Sequence, residues 1–147
     1  MTKVRVNSYQ YEVKLTWING KVGLLKSEDA PELSVATPVE FGGPTGKWSP
    51  EKLFISSIQS CMMSTFFYFA ERLKANVHSY SSIAKGIMSM TEEGFRFTQI
   101  DVHIEVKLAD EQSQEKLTSA NMEKKIEKYC PISAAINCPI NLKIYSC

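Results

Sequence analysis

Two cysteines in dissimilar settings are the residues of this chain best suited to chemistry. Cys61 lies twelve residues beyond Ser49, in a stretch that begins Ser49-Pro50-Glu51-Lys52-Leu53-Phe54 and reads as the start of a long apolar helix. Cys130 stands in Tyr129-Cys130-Pro131-Ile132-Ser133, just ahead of a proline suited to the first position of a new helix. Two thiols brought together by folding make a redox pair, in which one attacks an oxidant and the other closes a disulfide. Kept apart, they are ordinary scattered cysteines.

The two sulfurs differ in what their surroundings offer. At an N-cap, Cys130 faces unpaired backbone N–H groups that favour a negative sulfur, although a small buried residue at a turn looks the same in sequence. Cys61, in mid-helix, gains little from the dipole, and an apolar setting raises its pKa. To react it needs an imported cation or hydrogen-bond donor. Cys138 precedes Pro139 on the way into a strand, and Cys147 is the last residue, expected to fray; both read as bystanders. No Cys-x-x-Cys or paired-His spacing points to zinc, so no metal is expected. His78 and His103 have no placed partner for Cys-His hydrolysis.

The elements that must position these residues are legible by period. Tyr9, Tyr11, Val13, Leu15 and Trp17 alternate with polar residues as in a half-buried strand, and Asn19-Gly20 predicts a tight hairpin turn. Val22 and Leu24 return as a second strand, and Leu33 to Val39 suggest a third. Phe41-Gly42-Gly43-Pro44-Thr45-Gly46 reads as a hinge or a loop over a pocket, since the P-loop spacing is missing. Ser49 as N-cap, Pro50 at the first helical position and Glu51 at the positive end of the dipole open a helix running to about Lys74. Strands follow near Ser81–Met90 and Phe95–Leu108, turning at Glu93-Gly94, with Ile100, Val102, Ile104, Val106 and Leu108 on one face. Asp110 caps one helix from about Glu111 to Lys128, whose thin stripe is Met122, Ile126 and Tyr129. A short helix after Pro131 and a strand through Ile140, Leu142 and Ile144 complete an α+β order.

Composition narrows the function classes. At 147 residues the chain is expected to be a single domain, 1–147, with 1–8 as a loose N-terminal segment. A net charge of +1 without a basic stripe argues against nucleic acid. Met1 to Lys14 is too polar for a signal peptide, so reduced thiols in a cytoplasm are expected. Leu53 to Ala70 carries no charge over eighteen residues, yet six are polar, and the reading is a helix inside a soluble protein rather than a membrane span. Few strands are available to cover so apolar a helix, and a dimer sharing its helices between two sheets would solve that. Glu51 and Cys61 are about 15 Å apart along one straight helix. A carboxylate from this position reaches a Cys61 site only from another subunit; otherwise Glu51 simply stabilises its helix start.

Phe41-Gly42-Gly43, the Pro50-Glu51-Lys52-Leu53 run ten residues ahead of Ser60-Cys61-Met62, and Tyr129 to Ile136 resemble the osmotically inducible protein C and organic hydroperoxide resistance (OsmC/Ohr) family. The likeness runs from about Trp17 to Tyr145. It implies an OsmC-like fold: antiparallel sheets wrapped on a long central buried helix, in an intertwined homodimer. The implied activity is thiol-dependent reduction of organic hydroperoxides without cofactor, with an external dithiol as reductant and no membrane partner. By position Cys61 is then the peroxidatic thiol, Cys130 the resolving thiol, and Glu51 the residue that orients an activating cation. The family's N-terminal arginine is missing: Asn19, Gly20 and Lys21 stand there, and the chain's arginines are Arg5, Arg72 and Arg96. Lys21 offers a charge but not a planar fork. Phe54, Ile58, Met62 and Phe66 are candidates for an apolar wall, or plain core. The rival reading is a small-molecule-binding protein of the same fold with incidental thiols; a regulatory partner protein is the third.

Overall fold

The structure, a computed structural model, describes residues 7–147. All of the expected loose segment 1–8 except Asn7 and Ser8 therefore lies outside the described residues. The chain divides into two compact units, 1–53 and 54–147.

In the first unit, β1 (Lys14–Asn19), β2 (Val22–Ser27) and β3 (Ala30–Ala36) form an antiparallel meander in that order. Asn19 pairs with Val22, so the two turn residues are Gly20 and Lys21, one later than the sequence suggests. Gly20 takes the positive φ of 49°, and Trp17 Nε1 donates to its carbonyl at 3.0 Å. The alternating residues ahead of this turn are not half-buried in the single chain: β1 starts only at Lys14, every residue in it is exposed, and Trp17 is 72% exposed. A 3₁₀ turn, Val39–Phe41, follows. Gly43 is required here, because a Cβ would sit 1.5 Å from the Thr37 carbonyl oxygen. Trp48 then bridges back to the sheet by accepting from Ala36 N–H at 2.8 Å.

Helix α1 spans Pro50–Arg72, and Ser49 Oγ accepts from Lys52 N–H at 3.2 Å as the expected N-cap. In the second unit the sheet order is β4 (Val77–Thr91), β5 (Gly94–Leu108), β6 (Ile140–Ser146). β4 and β5 are antiparallel, turning at Glu92-Glu93 rather than at Glu93-Gly94. β6 departs from the antiparallel expectation and runs parallel to β5. Cys147 does not fray: Leu108 N–H donates to its carbonyl at 2.9 Å and its own N–H reaches Val106 O at 3.2 Å.

The single helix expected over Glu111–Lys128 is two, α2 (Glu111–Ala120) and α3 (Met122–Tyr129). Asn121 breaks them at φ 51°, a left-handed conformation that asparagine tolerates. A four-residue helix, α4 (Pro131–Ala134), follows. Asp110 caps α2 by accepting from Ser113 N–H at 2.7 Å, and its other oxygen accepts at 3.1 Å from Nδ2 of Asn76, the residue before β4.

One face of α1 supplies Ile58, Met62, Phe66 and Ala70, four residues apart. They pack with Ile100, Val102, Ile104 and Val106 of β5, Leu117, Met122 and Ile126 of α2 and α3, and Leu142 of β6. Burial of each larger member contributes about 1.5–3 kcal/mol. The helix is covered on that face only. Met63, Phe67 and Tyr68 are exposed, and 28% of its most apolar window, which by length and composition would suffice to cross a membrane, is buried within the chain.

Candidate active site

Packing of α1 on the sheet, with α3 and α4 beside it, brings the two sulfurs together. Cys61 projects from mid-α1, and Cys130 links the end of α3 to the start of α4. Cys130 is near enough to act directly on the Cys61 thiol. Cys130 is fully buried, whereas Cys61 is partly exposed.

Cys61 follows the expectation set by burial, and Cys130 departs from the expectation of a capping sulfur. Burial pushes the Cys61 thiol above the ordinary 9.0, and the neighbouring Cys130 side chain pushes the same way. The Ile132 backbone N–H pulls it down, as does the Thr65 hydroxyl. The pull from Thr65 is the weaker one, since that hydroxyl already donates to the Cys61 carbonyl at 2.9 Å and has a single proton. Cys130 does occupy an N-cap position, but it makes no side-chain cap bond, and the helix it caps is only four residues long. Its polar support comes instead from Ser133, whose hydroxyl donates to Cys130 Sγ at 3.1 Å.

Cys61 opens onto a groove of about 620 Å³ lined by Ser64, Thr65, Tyr68, Phe69, Arg72, Tyr129 and Pro131. The apolar wall is therefore not Ile58, Met62 and Phe66, which are core, but the rings of Tyr68, Phe69 and Tyr129. Tyr129, expected in the buried stripe of its helix, is exposed and stacks against Phe69 at 5.3 Å. Each ring carries a cation: Arg72 over Tyr68 at 4.4 Å, Lys125 over Phe69 at 5.6 Å and Lys128 over Tyr129 at 5.1 Å. A groove with apolar walls and a positive rim favours an apolar ligand and any negative charge formed in it.

Reading the sequence by motif overlooked Arg72 and Ser133. The signal for the first was available: Cys61, Thr65, Tyr68 and Arg72 follow at i, i+4, i+7 and i+11, one face of a helix. The signal for Ser133 was its position three residues past Cys130 in a tight turn.

The remaining predicted residues have these settings within their own units. Glu51 stands in the first turn of α1; its Oε2 is buried and has no hydrogen-bond partner among the described residues. Lys21 Nζ donates to the Phe41 carbonyl at 2.7 Å, next to Gly42, and makes no ion pair with Glu51. Cys138 packs at the core's edge, His103 lies on the outer face of the sheet against Tyr145, and His78 is exposed on β4. Among the described residues no group of three or more His, Cys, Asp or Glu is placed to hold a metal.

A helix-borne thiol joined to a second thiol ahead of a Cys-Pro turn, on this α+β frame, defines the class. The family model described as OsmC-like protein matches residues 42–144, and the chain belongs to that family. The match begins at Gly42, after the three-stranded meander. Among solved structures, an OsmC-like protein of unknown function from Vibrio cholerae O1 biovar eltor superposes with a TM-score of 0.85 at 15% identity, covering 94% of this chain and 100% of that one. An organic hydroperoxide resistance protein OsmC from Legionella pneumophila gives 0.71 at 24% identity, with 96% and 98% coverage. The organic hydroperoxide resistance protein OhrB of Bacillus subtilis gives 0.63 at 18% identity, with 93% and 98% coverage. No curated protein matches the sequence.

Proposed function

We propose that this protein is a two-cysteine thiol peroxidase that reduces organic hydroperoxides in peroxide defence. The observation that carries the reading is the close approach of Cys61 and Cys130, the more exposed member facing an aromatic groove. In this reading the Cys61 thiolate attacks a peroxide oxygen, the O–O bond breaks, and an alcohol leaves after taking up a proton. Cys61 becomes a sulfenic acid. Cys130 attacks that sulfur, water departs, and a disulfide joins the pair. An external dithiol restores both thiols and is itself oxidised to a disulfide. No cofactor or metal is needed. The setting is a soluble, cytoplasmic protein whose thiols are reduced between turnovers.

The working unit is a homodimer. Two observations support it: the uncovered apolar surfaces on β1 and on the outer face of α1, and the buried Glu51 Oε2 without a donor. Glu51 of one subunit then orients an activating cation at the other subunit's Cys61. Lys21 is the candidate for that cation.

The test is mass spectrometry after limiting cumene hydroperoxide. Wild type is expected to form one Cys61–Cys130 disulfide per chain. Cys61→Ser should lose turnover, and Cys130→Ser should accumulate a sulfenic acid that dimedone captures. Full activity in Cys61→Ser would remove the mechanism; Glu51→Gln and Lys21→Met measure the contribution of the activating pair.

One observation favours a second reading, a binding protein for small apolar ligands: Cys61 holds its proton more tightly than an ordinary thiol. On that reading the groove takes up an apolar ligand, and peroxide leaves both thiols unchanged.

A further inference from the structure

Resetting the pair needs an attacking thiolate to choose one of two sulfurs, and the site is asymmetric in ways that bear on that choice. Cys61 faces the groove; Cys130 is fully buried in the core cluster. Only one of them is therefore open to an incoming nucleophile. In thiol–disulfide exchange the attacked sulfur keeps the new bond, and the other leaves as a thiolate, faster when its charge is better accommodated. The Ser133 hydroxyl, 3.1 Å from Cys130 Sγ, is aimed at that leaving sulfur. A hydrogen bond to a charged group is stronger than one to a neutral group, so it strengthens as negative charge grows on Cys130.

We infer that Ser133 is a catalytic residue of the reductive half-reaction: it stabilises Cys130 as the leaving thiolate while the dithiol attacks Cys61. This rests on the two-cysteine reading. In the first step, a dithiol thiolate bonds to Cys61 Sγ, the Cys61–Cys130 bond breaks, and its electron pair goes to Cys130. The Ser133 O–H holds that charge until solvent protonates it. In the second step, the dithiol's other sulfur, as thiolate, attacks the mixed disulfide and Cys61 is released as a thiolate. The dithiol has lost two electrons and the protein has gained two.

The experiment prepares the Cys61–Cys130 disulfide with diamide instead of a peroxide, so it runs whether or not the protein is a peroxidase. In the first arm, wild-type disulfide is mixed with excess β-mercaptoethanol, quenched in acid, alkylated unfolded and digested. The thiol adduct is expected on Cys61 and the alkyl group on Cys130; an adduct mainly on Cys130 would overturn the assignment. In the second arm, dithiothreitol reduction is timed. Ser133→Ala is expected to slow it about tenfold, the size of one lost hydrogen bond to a charge, and Ser133→Thr to stay within about twofold of wild type. Equal rates in Ser133→Ala and wild type would overturn the role, as would failure of diamide to join the pair. Failure of peroxide alone to form the disulfide strikes the peroxidase reading and leaves this one standing. The first arm needs no variant, so a misfolded Ser133→Ala does not spare the inference.

Discussion

Gly86 of β4 lies directly under α1, and a methyl group there tests how closely the helix that carries Cys61 is seated. A Cβ at Gly86 would stand 2.5 Å from Ile55 Cδ1, 3.2 Å from Ile55 Cγ1 and 3.0 Å from Phe97 Cε1. Carbon atoms rest at about 3.5–4.0 Å, so the tip of Ile55 must retreat by roughly 1 Å. Phe97 is itself held against Phe54 of α1, ring centroids 4.8 Å apart, and offers little space. Overpacking of this kind costs about 1–3 kcal/mol, and replacing a strand glycine by alanine returns about 0.5–1 kcal/mol of chain entropy. Gly86→Ala is thus expected to destabilise by up to about 2.5 kcal/mol. Ile55→Val removes the clashing Cδ1 at an intrinsic cost of about 0.5–1.5 kcal/mol. The double variant should then be more stable than the sum of the singles by about 1 kcal/mol. The assay is urea unfolding at one fixed protomer concentration, reading the midpoint at unchanged slope. Additivity within about 0.3 kcal/mol would refute the close seat of α1 on this sheet.

Two pH effects follow from the ionisable groups. Burial raises the Cys61 thiol above 9.0, so its contribution to folding is fully present below about pH 9 and lost as pH rises through the folded value. Thermal unfolding of wild type should therefore decline faster than that of Cys61→Ser above pH 9, and parallel curves would contradict the shift. Asp110 is held below 3.8 by the Ser113 N–H, then by Asn76, so its contribution is present above the unfolded value and lost as pH falls through the folded one. Asp110→Asn should flatten the acid limb of the stability profile, and an unchanged limb would count against the cap.

The sequence was most readable where one local rule governs each residue. The alternation in β5 matched burial residue for residue from Ile100 to Val106, because a strand's two faces are fixed by its period of two. Ser49-Pro50-Glu51 marked the start of α1 correctly, because capping is a matter of neighbours. It was less readable where two rules compete. Asn121 lies inside a continuous helical pattern, and its left-handed conformation is set by the buried pair Leu117 and Met122 meeting the core from either side of the break. The two hairpin turns were misplaced by one residue in opposite directions, because a glycine with positive φ can open a turn or stand at its edge: Gly20 is the first turn residue, whereas Gly94 is already in β5.

The sulfur pair shows the same division at the level of the site. That Cys61 and Cys130 meet depends on contacts between residues 69 apart in sequence (130 − 61), and in the sequence only the family resemblance implied it. Which donor attends which sulfur is a finer matter of angstroms. A pre-proline cysteine suggests help from a helix dipole, yet a four-residue helix has little to give, and the Ser133 hydroxyl stands in its place. Among the groups that shift Cys61, the sulfur assigned the attack, none is a cation. A raised thiol, a buried Glu51 oxygen without a donor and an uncovered β1 are three different shortages in one chain. A second copy that covers the apolar faces and brings charge to the sulfur would relieve all three at once. A chain that stayed monomeric at millimolar concentration while turning over peroxide would separate them.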